Sequence, residues 1–189
     1  MENLVVYMIR RRLADIPQHP MPAGYFTKLY RPGDETAWVS INRAADKFND
    51  ISLVMFGKQF NDDVESLKSR CFFLCEEGGR EIGTASAWYD LNYHGRDFGR
   101  VHWVAILPEY QRKGLAKPMM TVVMNRMAEI HDRAYLTTGT ARIPAVKVYL
   151  DFGFVPDIWH EDDARRWAIV GTRLDHPVLC NSALWHTSP

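Results

Sequence analysis

The chain has 189 residues and equal numbers of acidic and basic side chains, which narrows the classes of protein to consider. Hydrophobic residues make up 47% of it and charged residues 24%, a globular balance that excludes a disordered or fibrous protein. Because 23 Lys and Arg residues are matched by 23 Asp and Glu residues, the basic excess of a general nucleic-acid binder is missing. We therefore expect one soluble domain over residues 1–189 that has no nucleic-acid partner.

Cysteines, histidines and apolar runs restrict the compartment and the cofactors further. Cys71 and Cys75 fall in one predicted strand, at a separation of about 13 Å that forbids a disulfide between them. The seven histidines show no metal-ligand spacing with Cys, Asp or Glu, so we expect no metal site. No apolar run reaches the length of a membrane span, and the N-terminus lacks the charge order of a signal peptide. These features predict a cytoplasmic protein without a membrane partner, as a monomer or homodimer.

The first half of the chain predicts two strands and two helices. A first strand covers residues 4–13, and a connector with three prolines over residues 16–25 leads to a second strand at residues 26–30. Asp34 follows a turn and is a candidate N-cap for a helix, while residues 58–70 predict a second helix with one apolar side.

The second half alternates strands and helices. Residues 71–75 and 81–89 predict a hairpin, and residues 100–107 predict another strand. The clearest helix covers residues 114–132, where apolar positions recur at helical spacing. The remaining predicted elements are a strand at residues 134–138, a helix at residues 143–152, and strands at residues 154–159 and 166–174. Antiparallel neighbours followed by a β-α-β crossover predict an α/β fold with a mixed, mostly antiparallel central sheet flanked by helices.

The segment before the longest helix carries the clearest chemical signal. Residues 104–116 read VAILPEYQRKGLA: a buried strand, an exit at Pro108 and a turn that opens onto a helix N-terminus. Such a turn presents unpaired N–H groups at the positive end of a helix dipole, which suits a phosphate or pyrophosphate. Gly114 lets the backbone approach the ligand, and Arg112 and Lys113 add positive charge. A plain polar connection is the alternative, and these residues alone leave both open.

The same segment resembles the acetyl-CoA signature of the GNAT N-acetyltransferases, an apolar strand and a proline followed by Q/R-x-x-G-x-G/A. A second stretch, residues 145–154 (AVKVYLDFGF), resembles the A-x-x-x-Y-x-x-x-G-F motif of that family. The resemblance covers residues 81–154 and implies the GNAT (acyl-CoA N-acyltransferase) fold, with acetyl-CoA as co-substrate. The cofactor-binding residues that it implies are Val104, Ala105, Ile106, Gln111, Arg112, Lys113, Gly114, Leu115, Ala116 and Arg142.

Two residues are candidates for proton transfer. The resemblance makes Tyr149 the general acid for the leaving thiol, although its neighbours on the helix also fit a core tyrosine. In some family members a glutamate lies near the start of the central strand, but here Arg100 stands there and cannot accept a proton. His102 has a suitable ordinary pKa and is our candidate base, with a structural histidine as the alternative. Weaker candidates for the base are Asp90, Asp97, Glu76 and water.

Two further regions bear on the ligands. Many family members have an asparagine where Arg142 stands, so Arg142 could meet a CoA phosphate or be solvated. In this fold the acceptor pocket is commonly built from the loops that here cover residues 48–57 and 88–99. Their apolar and aromatic side chains fit a pocket, a covered sheet edge or a dimer contact.

The resemblance implies an N-acetyltransferase that moves the acetyl group of acetyl-CoA to a primary amine of a small molecule or peptide. The expected mechanism is direct attack by the amine in a ternary complex. A longer acyl-CoA is a second possibility within the same fold. The alternative from another class is a catalytically weak CoA-binding sensor or interaction module, which Arg100 favours and Tyr149 argues against.

Overall fold

The computed structural model describes residues 2–187. Within these residues the strands are β1 (Val5–Arg10), β2 (Tyr25–Leu29), β3 (Cys71–Glu76), β4 (Glu81–Tyr93), β5 (Arg96–Ile106), β6 (Ala134–Gly139), β7 (Val155–Ile158) and β8 (His186–Thr187). The helices are α1 (Glu35–Ala45), α2 (Leu53–Phe60), α3 (Val64–Arg70), α4 (Ala116–Ala128), α5 (Ile143–Asp151), α6 (Glu161–Gly171) and α7 (Pro177–Cys180).

The eight strands described form one sheet in the order β2-β3-β4-β5-β6-β1-β7-β8. Neighbouring strands are antiparallel except at two seams, where β5 meets β6 and β7 meets β8 in parallel. The mixed, mostly antiparallel sheet with flanking helices that the sequence predicts is therefore confirmed.

Helices cover both faces of this sheet. Phe60 of α2 packs edge-on against Trp88 of β4, with ring centroids 5.0 Å apart. On the opposite face, Met127 of α4 leaves no room for a side chain at Gly99 of β5. Within residues 2–187, no helix has both the length and the apolar character that crossing a membrane requires.

The structure corrects several of the element predictions. Of the segments expected as loops, residues 53–57 belong to α2, and most of residues 88–99 belong to β4 and β5. The helix predicted over residues 58–70 is two helices, because Asn61 adopts a left-handed φ of 53° and Asp63 caps a new helix through the N–H of Ser66 at 2.9 Å. The strand predicted over residues 166–174 is also wrong, because residues 166–171 belong to α6 and residues 172–174 lie beyond its end. Acidic residues fill the first turn of α6, and the Asp163 carboxylate accepts the N–H of His160 at 2.9 Å, which stabilises a helix N-terminus.

The first strand lies far from the second. β1 is inserted between β6 and β7 and is antiparallel to both. β2 forms an edge of the sheet, with β3, β4, β5 and β6 between it and β1. The proline-rich connector therefore passes over α4. There the Thr121 hydroxyl donates to the Pro17 carbonyl at 3.0 Å and accepts the His19 N–H at 3.1 Å.

We expect Thr121→Val to lower the free energy of unfolding by about 1–2 kcal/mol, because it leaves two polar groups of the connector without partners. Denaturant titration measures this change. Thr172→Val is the matched control, since the exposed Thr172 hydroxyl bonds only within its own helix end, to Ile169 O at 2.8 Å. A Thr121→Val loss no larger than the change of about 0.5 kcal/mol typical of a surface site would show that the connector is not anchored there.

Candidate functional site

The parallel strands β5 and β6 separate almost as soon as they meet. They pair only at Gly99 with Ala134 and at Arg100 with Tyr135. The rest of β5, up to Ile106, and the rest of β6, up to Gly139, have no register with each other. A gap therefore opens in the sheet toward the ends of these strands, with unpaired backbone groups along both sides.

A bulge in β5 accompanies this separation. The pairs Ser86–His102 and Thr84–Ala105 enclose one residue of β4 but two of β5, and Trp103 has a φ of 49°. An extra residue of this kind bends a strand and disrupts its ladder. It also changes the alternation of side chains, because the neighbours His102 and Trp103 both reach Gln59 of α2. His102 contacts its carbonyl at 3.3 Å and Trp103 donates to its side-chain oxygen at 3.1 Å. Strict alternation along β5 predicts that His102 shares a face with Val104 and Ile106, but the bulge places it on the face of Ala105 instead.

The turn after β5 presents a row of free backbone donors beside the gap. Residues 114–117 enter α4, and none of their N–H groups has an acceptor within the described residues. Gly114 has a φ of 76°, and nothing lies within 4 Å of where a Cβ would be. The positive end of a helix dipole, open backbone donors and free space fit the pyrophosphate of an acyl-CoA.

Side chains of this turn fix its shape as well as its charge. The Gln111 amide donates to the carbonyl of Ile106 at 2.9 Å, which ties the turn to the end of β5. The ammonium group of Lys113 lies 4.5 Å from the centroid of the Tyr110 ring. Arg112 is exposed and has a φ of 61°. Gln111 therefore organises the loop, while Arg112 and Lys113 provide its positive charge.

Tyr149 lies in α5, the helix that follows β6, and its side chain is buried. Only 7% of it is exposed, and its hydroxyl makes no hydrogen bond within residues 2–187. Burial raises the pKa of Tyr149 to about 12, against the opposing effect of the positive charge of Arg142. The phenol is thus protonated at neutral pH and has no partner within the described residues.

Arg142 is ion-paired across the mouth of the gap. Its guanidinium lies 2.8 Å from the Asp46 carboxylate and 5.5 Å from the centroid of the Phe48 ring. Burial opposes the charge of Asp46, but hydrogen bonds from Phe48 and Asn49 and the charge of Arg142 hold the pKa of Asp46 below its ordinary value. Arg142 thereby ties the loop after α1 to the start of α5.

His102 is buried beneath α2. It is 5% exposed, and burial together with the charge of Arg100 holds its pKa well below the ordinary 6.5. Its Nε2 faces the Gln59 carbonyl, so Nε2 carries the proton and Nδ1 the lone pair. These surroundings support the packing alternative for His102 more than a role as base.

The loops expected to build an acceptor pocket contribute mostly to the core and to a separate polar cluster. Trp88 and Ile51 are almost completely buried. Tyr93 and His94 bond to the buried Asp157 carboxylate at 2.7 and 2.8 Å. Thr137 of β6 borders the gap, and Tyr7 of β1 is its partner on the far side of β6. No sequence signal marks them, because their position depends on the register of β1 against β6.

Surface concavities are found away from the gap. Two of them, of about 260 and 440 Å³, are both lined by His131, Asp132 and Arg133 at the other end of β5. They are far from the donor row of residues 114–117. In the described part of the chain no three His, Cys, Asp or Glu side chains are grouped so that they could hold a metal ion.

Comparison with known proteins identifies relatives in sequence. A family model described as "Acetyltransferase (GNAT) family" matches residues 36–154. A mycothiol acetyltransferase of Streptomyces griseus is 30% identical over 165 residues, which is 82% of this chain and 50% of that protein. One of Streptomyces bingchenggensis is 30% identical over 144 residues, which is 74% of this chain and 46% of that protein. The chain thus spans about half the length of the curated relatives that it matches.

Solved structures share the fold at low sequence identity. A GCN5-related N-acetyltransferase from Sphaerobacter thermophilus superposes with a TM-score of 0.64 at 18% identity, over 80% of this chain and 48% of that one. The ribosomal-protein-S18-alanine N-acetyltransferase of Escherichia coli gives 0.56 at 18% identity, over 68% and 76%. The NatC complex bound to Gag peptide and CoA gives 0.54 at 17% identity, over 67% and 82%. These likenesses confirm the fold predicted from the sequence.

We expect the buried, neutral His102 to make stability depend on pH. Because its folded pKa is depressed, its contribution is complete above pH 6.5 and is lost as the pH falls toward the folded value. In His102→Asn, the fall in unfolding free energy between pH 7.5 and 5.5 should be smaller than in the wild type. The difference is at most about 1.4 kcal/mol per pH unit, because one proton is involved.

Denaturant titration at the two pH values measures this effect. His160→Asn is the control, because His160 is exposed and asparagine also caps a helix well. An unchanged pH dependence in His102→Asn would mean that His102 is accessible to protons, as a catalytic base must be.

Proposed function

Because the chain belongs to the GNAT acetyltransferase family, we propose that it transfers the acetyl group of acetyl-CoA to a primary amine. The observation that carries this proposal is the gap between β5 and β6 beside a turn with free N–H groups at residues 114–117. An extended ligand that ends in a pyrophosphate fits both features at once. The amine belongs to a small molecule or a peptide and attacks directly in a ternary complex.

Acetyl-CoA would be held by the backbone more than by side chains. The N–H groups from Gly114 to Lys117, with Arg112 and Lys113 close by, would bind the pyrophosphate. The unpaired edge of β5 at Val104, Ala105 and Ile106 would bind the pantetheine arm and polarise the thioester carbonyl. When bound, acetyl-CoA supplies an activated acetyl thioester.

Tyr149 holds the proton that the departing sulfur needs. Its pKa of about 12 keeps the phenol protonated but makes it a weaker acid than an ordinary tyrosine. Its contribution is therefore a hydrogen bond to the developing thiolate, with the proton following as charge accumulates. A hydrogen bond to a charged group is worth about 1.5–3 kcal/mol, or roughly 10- to 100-fold in rate. The amine loses its proton to water, since His102 is enclosed.

The acceptor is proposed only as a class. The matched relatives carry the name mycothiol acetyltransferase, and this chain spans about half of their length. That name makes a small molecule the first acceptor to test. The structural likeness to the ribosomal-protein-S18-alanine N-acetyltransferase makes a peptide terminus the second acceptor to test.

We expect Gly114→Asp to weaken acetyl-CoA binding at least tenfold, because the aspartate adds bulk and negative charge where the pyrophosphate is placed. Calorimetric titration of acetyl-CoA and of desulfo-CoA measures this change. Gly24→Asp is the matched control, since Gly24 also has a positive φ, of 82°, with open space around it, but lies at the far edge of the sheet. Absence of binding to the folded wild type would overturn the proposed function.

We expect Tyr149→Phe to lower kcat by about 10- to 100-fold and to leave acetyl-CoA affinity unchanged. Because the phenol pKa is about 12, deprotonation of Tyr149 should not reduce wild-type kcat below about pH 10. Measurement of CoA release as a function of pH tests both statements. Tyr89→Phe is the control, since that hydroxyl is already bonded to Asp63 at 2.9 Å. An unaffected kcat in Tyr149→Phe would leave Tyr149 as a core residue.

The alternative of a CoA-binding sensor predicts a different result. Such a protein would bind acetyl-CoA in a way that Gly114→Asp abolishes, but would release no CoA with any amine. Its support comes from the middle of β5, where Arg100 cannot accept a proton and His102 is enclosed.

A further inference from the structure

Polar side chains collect on one face of the sheet, next to the gap. Arg100 of β5 pairs with Tyr135 of β6, and Tyr7 of β1 pairs with Thr137 of β6. Tyr135 and Thr137 are two residues apart in one strand and therefore share a face. Arg100, Tyr7 and Thr137 are all half-buried, so this part of the sheet is accessible to a small ligand.

Arg100 has no anionic partner. The guanidinium carbon lies 5.7 Å from the centroid of the Tyr135 ring, and the Nε atom is fully buried without a hydrogen-bond acceptor. Among the described residues no carboxylate lies within ion-pair distance of Arg100. Asp90, on the same face of β4, already accepts the Tyr135 hydroxyl at 2.7 Å. A half-buried cation with an unpaired donor is stabilised when an anion arrives from outside.

Two hydroxyl groups complete this arrangement. In the part of the chain that the structure describes, the side chains of Tyr7 and Thr137 form no hydrogen bond, so both are free to donate. A guanidinium and two hydroxyl donors on one face of the sheet suit a carboxylate, which accepts several hydrogen bonds through its two oxygens. Thr137 lies two residues beyond Tyr135, where β5 and β6 have already parted, and so borders the gap itself.

The other charged groups nearby do not compete for Arg100. The Asp157 carboxylate, further along the same face, accepts hydrogen bonds from Tyr93 and His94. Asp46 is paired with Arg142 at 2.8 Å. Asp90 and Asp157 therefore each have donors of their own, and neither forms an ion pair with Arg100.

We propose that Arg100, with the hydroxyls of Tyr7 and Thr137, binds a carboxylate of the acceptor. The substrate class is thus an amine that also carries a carboxylate, such as an amino acid or a short acidic peptide. This inference rests on the proposed function, because it describes the second substrate of the same site. It also gives Arg100 a role in acceptor selection, at a position where it cannot serve as a base.

The test compares matched acceptors that differ only in charge. The probes are ω-amino acids from glycine to 6-aminohexanoate, the same compounds as carboxamides, and ethanolamine with O-phosphoethanolamine. The rate of CoA release gives kcat/KM for each acceptor. These values are calculated from the concentration of unprotonated amine, because converting the carboxylate to a carboxamide changes the pKa of the amine. We expect the wild type to prefer the carboxylate by about 10- to 100-fold at the chain length that spans the site. The phosphate pair shows whether any anion suffices or a carboxylate is required.

Three variants separate recognition from structure. In Arg100→Gln the preference for carboxylate should fall to parity, mainly through KM, and Arg100→Lys should restore part of it. Arg96→Gln is the control, because Arg96 is exposed on the same strand and lies outside this cluster. Affinity for acetyl-CoA should be the same in all of them, as measured by calorimetry.

Each outcome decides between the two proposals. Equal use of carboxylates and amides by the wild type, a preference for phosphate alone, or turnover of neutral amines only would overturn the inference and leave the acetyltransferase intact. A preference for carboxylate that survives Arg100→Gln would also overturn it. Failure of the folded wild type to bind acetyl-CoA would overturn the proposed function, and the inference with it.

Discussion

Two backbone pairs, Gly99 with Ala134 and Arg100 with Tyr135, form the whole seam between β5 and β6. Every feature of the candidate site depends on how short this seam is. The bulge at Trp103 bends β5 away, so that backbone donors and acceptors on both strands lack the partners that a regular sheet would supply. Unpaired backbone groups are costly unless a ligand or water satisfies them, and an extended amide-containing ligand is well suited to do so.

A gap within a sheet needs support from elsewhere, and β1 provides it. β6 pairs with β1 at six consecutive positions, from Val5 with Gly139 to Arg10 with Ala134. This full ladder holds β6 in place although its other neighbour is joined at two positions only. The N-terminal strand, which lies outside the region matched by the family model, thus stabilises one wall of the site.

The charges around the gap differ from the neutral balance of the whole chain. Free backbone donors at residues 114–117, the nearby Arg112 and Lys113, and the unpartnered Arg100 make the site attractive to anions. His102 and Tyr149 are each held in one protonation state. Burial keeps His102 neutral and Tyr149 protonated, because in each case burial disfavours the charged form. The charge and the open backbone donors around the gap therefore favour a negatively charged ligand.

The sequence by itself determined the strand, turn and helix around residues 104–128 and the order of most elements, because hydrophobic period and turn residues are local signals. It also pointed to Gly114, whose positive φ and open surroundings the structure displays. Local signals did not predict that Asn61 divides a helix or that residues 166–171 are helical, since capping contacts override weak strand propensity. Only the tertiary structure decided that β1 lies between β6 and β7, and that Arg142 pairs with Asp46. It also decided that Arg100, Tyr7 and Thr137 lie on one face of the sheet. These contacts join residues that are distant in the chain, such as Met8 and Pro156. Strand register and the extra residue at Trp103 set them, and neither leaves a pattern in the sequence.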